Sequence, residues 1–392
     1  MNNRALHIMI SAGETSGDLH GAYLARALRE LVPEVQLFGM GGPQMRQAGV
    51  ELLFDPTSLS TVGFWEALRS YRALKSALAL LERALAQNRP DVLVVIDFPG
   101  FHLRLAEAAK KMGVPVVYYF SPSAWAWGRG RALQVARSVA LVAAVFPFEA
   151  EVYRQAGAEV NFIGHPLLDI VRVEKGREEL RRELAGESSP VVGLLPGSRR
   201  QEIEFLLPPL LGAAERIRRR YPAAAFLLPL ASSITPEQVE PYLRRRADLP
   251  VRVVQGRTYE VMAACDLILV ASGTATLEAT CLGTPMVVVY RLSWPTYLLA
   301  RLLVRVPYIA LPNIVAGWRV VPELIQRQAT PERIAAEALA LLDSPPLREE
   351  MRERLHRVVE LLGQPGAVRR AAKLVVAVAR GRSANGRPDY GQ

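Results

Sequence analysis

LILVASGTATLEATCLGTPMVVVY, residues 267–290, decides the fold. An apolar run, Leu267–Val270, reads as a buried strand. It ends in Ser272-Gly273-Thr274, which opens a helix, and after Gly283-Thr284-Pro285 a second β-branched run, Met286–Tyr290, begins. Strand, helix and strand in that order make a parallel unit with its helix crossing over the sheet. The same alternation extends in both directions. Upstream lie strand-like runs Val191–Leu195, Ala224–Leu230 and Val251–Val254, with helical patterns between them. A first series comprises Leu6–Ser11, Val35–Phe38, Asp91–Ile96, Pro115–Phe120 and Leu141–Phe146, with helices at Leu19–Leu31 and Trp65–Ala86. The pattern pauses near Asn161–Pro166, and a highly charged helix, Val173–Glu187, follows.

A chain of 392 residues is too long for one core. The expected class is therefore α/β: two Rossmann-like, doubly wound parallel-sheet domains facing a cleft, with C-terminal helices. The boundaries fall at 1–168 for the first domain and 169–345 for the second. C-terminal helices occupy 346–380 and a Gly/Arg/Ser/Asn tail, expected to be disordered, occupies 381–392. The helical patterns Glu332–Leu342 and Arg348–Leu362 carry apolar stripes that need a surface, either the first domain or a second copy of the chain.

Lys and Arg outnumber Asp and Glu by 48 to 38, a net charge of +10. That excess suits an anionic membrane surface, phosphorylated substrates or nucleic acid, and equally a solvated basic surface. No nucleic-acid recognition motif accompanies it. Cys265 and Cys281 stand in apolar segments, which fits a reducing cytoplasm rather than a disulfide framework. No export signal is apparent, and the longest apolar run, Ser138–Phe148, is too short to span a bilayer. The expected location is cytoplasmic, peripheral to a membrane.

The motifs gather where strands end, which is where doubly wound domains hold ligands. SAGETSGDLHG (residues 11–21) follows the first strand; its glycines allow a tight turn and Ser16 or Asp18 can cap the helix from Leu19. Glu14 and His20 exceed what a plain turn needs. In VVIDFPGFH (94–102), Asp97 is a carboxylate at the end of a buried strand, either a general base or a brace. YFSPSAWAWGRGR (119–131) places Ser121, Trp125, Trp127 and Arg129 after another strand, suited to apolar chains and a phosphate or to packing. In LLPGSRRQEI (194–203), Gly197 and Ser198 offer backbone N–H groups and Arg199 a guanidinium fork. At 271–278 the helix opened by Ser272, Gly273 and Thr274 aims its positive end at a diphosphate, and Glu278, four residues on from Thr274, can accept both hydroxyls of a ribose. Further on, Asn313, with Gly317 four residues after it, reads as a turn into the cleft or a structural turn cap, and Gln326 ends the string VPELIQ (321–326). Phe64 and Trp65, beside Arg72 and Lys75, resemble an interfacial helix or a core-facing one.

Taken in order, GETSGDLHG, SPSAWAW, IGHPL, LLPGSRRQEI, ASGTATLE, GTPMVVVYR and VPYIALPNIVAG resemble the lipid-A-disaccharide synthases, from about Ile8 to Gln326. The resemblance implies an inverting, metal-independent glycosyltransferase. UDP-2,3-diacylglucosamine gives its sugar to the 6-hydroxyl of 2,3-diacylglucosamine 1-phosphate, and UDP leaves. It also leans toward a homodimer that exchanges its C-terminal region. Under this reading Asp97, His20 and Glu14 are the catalytic candidates. Gly197, Ser198, Arg199, Ser272, Gly273, Thr274, Glu278, Asn313 and Gln326 hold UDP. Ser16, Asp18, Phe64, Trp65, His102, Ser121, Trp125, Trp127 and Arg129 hold the acceptor and its lipid. No D-x-D-like metal pair ends a strand of the second half, and no cofactor is expected. The chain departs from the family at IDFPGFH (96–102), where I-D-x-P-D-F-N is common: Gly100 and His102 replace an acid and an Asn. Rivals on the same fold are a UDP-N-acetylglucosamine 2-epimerase and a lipid-linked N-acetylglucosaminyltransferase; a basic nucleic-acid-binding protein is the rival from another class.

Overall fold

The computed structural model describes residues 5–56, 64–121, 129–294, 297 and 307–381. The chain divides into two compact units. Met1–Asp169 together with Gly363–Gln392 form the first, and Ile170–Leu362 the second.

In the first unit the described strands are β1 (His7–Ala12), β2 (Gln36–Met40), β3 (Glu51–Phe54), β4 (Val92–Ile96), β5 (Val116–Tyr119), β6 (Leu141–Ala144) and β7 (Val160–Phe162). They form one parallel sheet in the order β3-β2-β1-β4-β5-β6-β7. In the second unit β8 (Val191–Leu195), β9 (Ala225–Leu230), β10 (Val251–Gln255), β11 (Leu267–Ala271), β12 (Met286–Tyr290) and β13 (Glu323–Ile325) pair in the order β10-β9-β8-β11-β12-β13, again all parallel. The central strands are apolar throughout because helices cover both faces; every residue of β4 and of β11 is buried.

Alternation along the strands sorts the first core into two layers. Ile8, Ile10, Val92, Val94 and Ile96 face one side, and Met9, Leu93 and Val95 the other. The first layer is completed by the helix Ala367–Ala379, which sets Val368, Ala371, Ala372 and Val375 against the helix Thr15–Leu31 and the sheet. That 3-and-4 spacing is one helical face, and burial of each valine stabilises by about 1.5–3 kcal/mol. The helices Pro331–Asp343 and Pro345–Leu361, by contrast, belong to the second unit.

Each sheet changes winding direction at one place. β1 lies beside β4 in the first, and β8 beside β11 in the second. In doubly wound sheets the crevice beyond the carboxyl ends of such a pair is the ligand site. Those four strands lead into residues 13–21, 97–102, 196–203 and 272–278, the stretches singled out by their chemistry.

Candidate active site

At the first switch point the helix begins at Thr15, not near Leu19, so Gly17, Asp18 and His20 occupy its first two turns. Glu14 is the N-cap residue in extended backbone, and neither Ser16 nor Asp18 caps this helix. Asp18 is 2% exposed, and its carboxylate accepts the N–H groups of Gly42, Gln44 and Met45 at 2.8, 3.0 and 2.9 Å. It caps a neighbouring helix, Pro43–Gln47, and has no surface left for an acceptor sugar. His20 is buried with its ring stacked on Phe120, centroids 3.9 Å apart. Burial pushes its pKa down to about 3, so it is neutral and a poor proton acceptor; its Nδ1 has no partner.

Asp97 leaves β4 with φ 52°, followed by Phe98 at φ 44°. Two successive non-glycine residues in the left-handed region cost of order 1–3 kcal/mol each, and such strain concentrates at functional sites. The carboxyl lies against Gly17, where a Cβ would stand 2.6 Å from Oδ2. Oδ1 is buried without a hydrogen-bond partner. Burial raises the Asp97 pKa well above the usual carboxylate range and the charge of Glu14 adds to this, while the Gly13 N–H opposes both. The result is a carboxylate that is a stronger base than one in water.

His102, expected to touch the acceptor, is fully buried in the helix Pro99–Lys111. Nδ1 lies 2.7 Å from the Asp97 carbonyl and Nε2 2.9 Å from Ser11 Oγ, so both nitrogens are engaged inside the protein. Ser121 is likewise turned inward, donating at 3.0 Å to Glu149, whose carboxyl is driven up to about 7 by burial. Glu149 was not singled out in the sequence, and the buried His165, packed on Phe120 and Phe146, stood in the IGHPL string without a role. Trp125 and Trp127 lie outside the described residues. So do the side chains of Phe64, Trp65 and Arg129, although Phe64–Asn88 and Arg129–Ser138 are helices.

At the second switch point, Gly197 adopts φ 117°, and a Cβ there would stand 2.2 Å from Glu202 Oε2. Glu202 accepts the N–H groups of Ser198 and Arg199 at 2.7 and 3.1 Å, so the Ser198 amide is not offered to a ligand as expected. The Arg199 guanidinium, 68% exposed, reaches outward with Nη1 3.6 Å from Glu202. Ser272 donates its hydroxyl to the Ile309 carbonyl, Gly273 is extended, and the helix Thr274–Cys281 starts there. Glu278 sits on that helix, largely desolvated, which raises its pKa to about 7; Tyr259 donates to its Oε1 at 3.4 Å. Tyr259 was not singled out in the sequence.

Two expected UDP contacts are braces. Asn313 is fully buried: its Oδ1 accepts from the N–H groups of Val320 and Val321, and its Nδ2 donates to the Val321 carbonyl and to Glu323. Gln326 pairs with both backbone groups of Leu292. With every polar atom of Asn313 engaged, none is left for a nucleotide. Among the described residues no group of three His, Cys, Asp or Glu is placed to hold a metal ion.

A family model described as lipid-A-disaccharide synthetase matches residues 8–378. The chain belongs to that family. It is 46% identical over 375 residues to the lipid-A-disaccharide synthase of Geobacter sulfurreducens, covering 95% of this chain and 97% of that one. It is also 46% identical over 382 residues to that of Nitrosococcus oceani, covering 97% and 98%. Among solved structures it resembles an S. aureus MnaA–UDP complex (TM-score 0.67, 14% identity, 98% of this chain and 100% of that one). It also resembles Acinetobacter baumannii MurG (TM-score 0.58, 17% identity, 95% and 99%). At such identities the structural likeness speaks for the fold alone, two Rossmann-like domains of the glycosyltransferase B type. Family membership makes the chain a glycosyltransferase of lipid A biosynthesis and sets aside the epimerase, the lipid-linked N-acetylglucosaminyltransferase and the nucleic-acid-binding protein.

Proposed function

We propose that the chain transfers the sugar of UDP-2,3-diacylglucosamine to the 6-hydroxyl of 2,3-diacylglucosamine 1-phosphate, with inversion and without a metal ion. Family membership carries the reaction, and the buried, strained Asp97 carboxyl carries the assignment of the base. As the acceptor oxygen attacks C1 of the donor sugar, Asp97 takes its proton, and the bond from C1 to the UDP oxygen breaks with its electron pair going to UDP. Glu14 assists by keeping the Asp97 carboxyl basic. The second unit supplies the donor subsite. Arg199 and the positive end of the helix Thr274–Cys281 offset the charge developing on the diphosphate, and ionised Glu278 accepts the ribose hydroxyls.

Mass analysis of the lipid product from the two diacylated substrates tests the reaction. Asp97→Asn tests the base: kcat should fall about 10²–10⁴-fold with UDP affinity unchanged, and near-normal turnover would reject the assignment.

Both substrates carry acyl chains, which supports peripheral attachment to the cytoplasmic face of an anionic membrane. No helix among the described residues is long and apolar enough to cross one. Binding to anionic vesicles that weakens with salt supports the attachment, and indifference to salt and lipid charge argues against it. A homodimer by exchange would seat a partner's copy of the helix Ala367–Ala379 where this chain's own helix lies. Sedimentation of a fully active monomer rules that out.

A further inference from the structure

The backbone oxygen of Asp97 receives two side-chain donors. One is the hydroxyl of Tyr118, at 2.9 Å, from β5, where Tyr118 is fully buried one position before the end of the strand. The other is His102 Nδ1, at 2.7 Å, from the first turn of the helix Pro99–Lys111. Because a carbonyl can only accept, the proton of the imidazole must sit on Nδ1. Burial lowers the His102 pKa to about 4, so the ring is neutral and Nε2 carries a lone pair. The Ser11 hydroxyl, 2.9 Å away on β1, therefore donates to Nε2. The direction of every hydrogen bond is fixed: Ser11 to His102, His102 to the Asp97 carbonyl, Tyr118 to the same carbonyl. Three adjacent strands, β1, β4 and β5, are tied together around the Asp97 carbonyl oxygen, β1 through the His102 ring.

That atom belongs to a residue held at φ 52°, next to another at φ 44°, where an L side chain is disfavoured. In this conformation the carboxyl rests on the bare Cα of Gly17 with Oδ1 buried and unpartnered. A carboxyl free to choose would turn toward water.

We infer that His102 and Tyr118 are positioning residues, a two-donor clamp that holds the Asp97 backbone in its left-handed state and its carboxyl in the desolvated place where it acts. The inference rests on the reading of Asp97 as the base. The imidazole donates from Nδ1 and accepts at Nε2, and an Asn amide offers the same pair of functions, whereas Leu offers neither.

The test compares His102→Leu, Tyr118→Phe, His102→Asn and Asp97→Asn. It measures kcat and KM across pH and titrates the Asp97 carboxyl by ¹³C NMR. The groups facing that carboxyl are Glu14 and the Gly13 N–H from the turn after β1; His102 and Tyr118 face its backbone. With the clamp broken, the carboxyl becomes solvated and its pKa falls toward the ordinary range. The acid limb of the kcat profile then moves to lower pH, and kcat drops about ten- to a hundredfold as the base loses its place. KM for the UDP-sugar stays within about twofold, and His102→Asn recovers most of the loss.

A role in stability alone would lower the folded fraction and leave the limb and the NMR titration where they are in the parent; that result overturns the clamp. If His102→Leu fails to fold, Tyr118→Phe, which removes one hydroxyl, carries the same comparison. The two readings fail separately. Asp97→Asn with normal kcat sinks the base but leaves the NMR shift to judge the clamp, whereas an inactive Asp97→Asn with unshifted titrations sinks the clamp alone.

Discussion

Replacing Asn313 with Ala separates a brace from a ligand contact more cleanly than any other substitution in the second unit. The side chain is fully buried and makes four hydrogen bonds, all within the protein. Truncation leaves the N–H groups of Val320 and Val321 buried without their acceptor and deprives the Val321 carbonyl of its donor. Glu323 loses one donor but keeps the Ile309 and Ala310 N–H groups. Each stranded buried donor costs about 1–3 kcal/mol, so the expected loss is about 3–5 kcal/mol, at the upper end for point mutations. With a urea dependence of about 2–3 kcal/mol per molar, the unfolding midpoint of the second unit should move down by about 1–2.5 M. Calorimetry with UDP at low temperature, where the variant remains folded, should show affinity within about twofold of the parent. An unchanged urea midpoint together with tenfold weaker UDP binding would refute the reasoning and return Asn313 to the nucleotide.

Glu278, with its pKa raised to about 7 by burial, should make UDP binding tighten as pH rises from 5.5 to 8, by about thirtyfold, because only the ionised form accepts two hydroxyls. Glu278→Gln should lose that dependence in parallel calorimetric titrations; equal slopes would discard the role. Arg199→Ala should weaken UDP binding about tenfold or more without moving the thermal midpoint, consistent with a loss of about 1.5–3 kcal/mol from a charge-assisted contact. Glu149 has a folded pKa of about 7, above its unfolded value near 4.5, so it stabilises fully below about pH 4.5 and loses that contribution as pH rises to 7. The loss is of order 3 kcal/mol, and denaturant unfolding of Glu149→Gln beside the parent at pH 5 and pH 8 should show the variant relatively stronger at pH 8.

The interior of both sheets was legible because strands covered on both faces are continuous apolar runs. Val191–Leu195 and Met286–Tyr290 match residue for residue. The strands that escaped, Glu51–Phe54, Val160–Phe162 and Glu323–Ile325, are sheet edges of three or four residues, largely half-buried, and carry no such run. The helix beginning at Thr15 was hidden by glycines that look like a turn. Gly17 is instead glycine because the Asp97 carboxylate occupies the space of its Cβ, a reason that lies 80 residues away. Asp97 and Arg199 drew notice by following buried strands, and Glu278 by standing four residues after Thr274 on one helix. The internal duties of Asp18, Asn313 and Gln326 did not show, since their partners stand 24–27, 7–10 and 34 residues off, and a polar residue braced from within looks in sequence like one that meets a ligand.

Synthesis of the chain meets an unusual order of completion. The first unit contains residues that precede the second unit in the chain and also the last described helix, Ala367–Ala379, which supplies Val368, Ala371, Ala372 and Val375 to one of its two core layers. Until that helix emerges from the ribosome, the apolar face of Thr15–Leu31 has no cover on that side. The second unit, Ile170–Leu362, has all its residues beforehand. Domains ordinarily finish in the order they are translated. Here the amino-terminal half must wait, collapsed but open along one layer, while the later half closes. A nascent chain stalled anywhere before residue 367 presents that layer to chaperones and proteases.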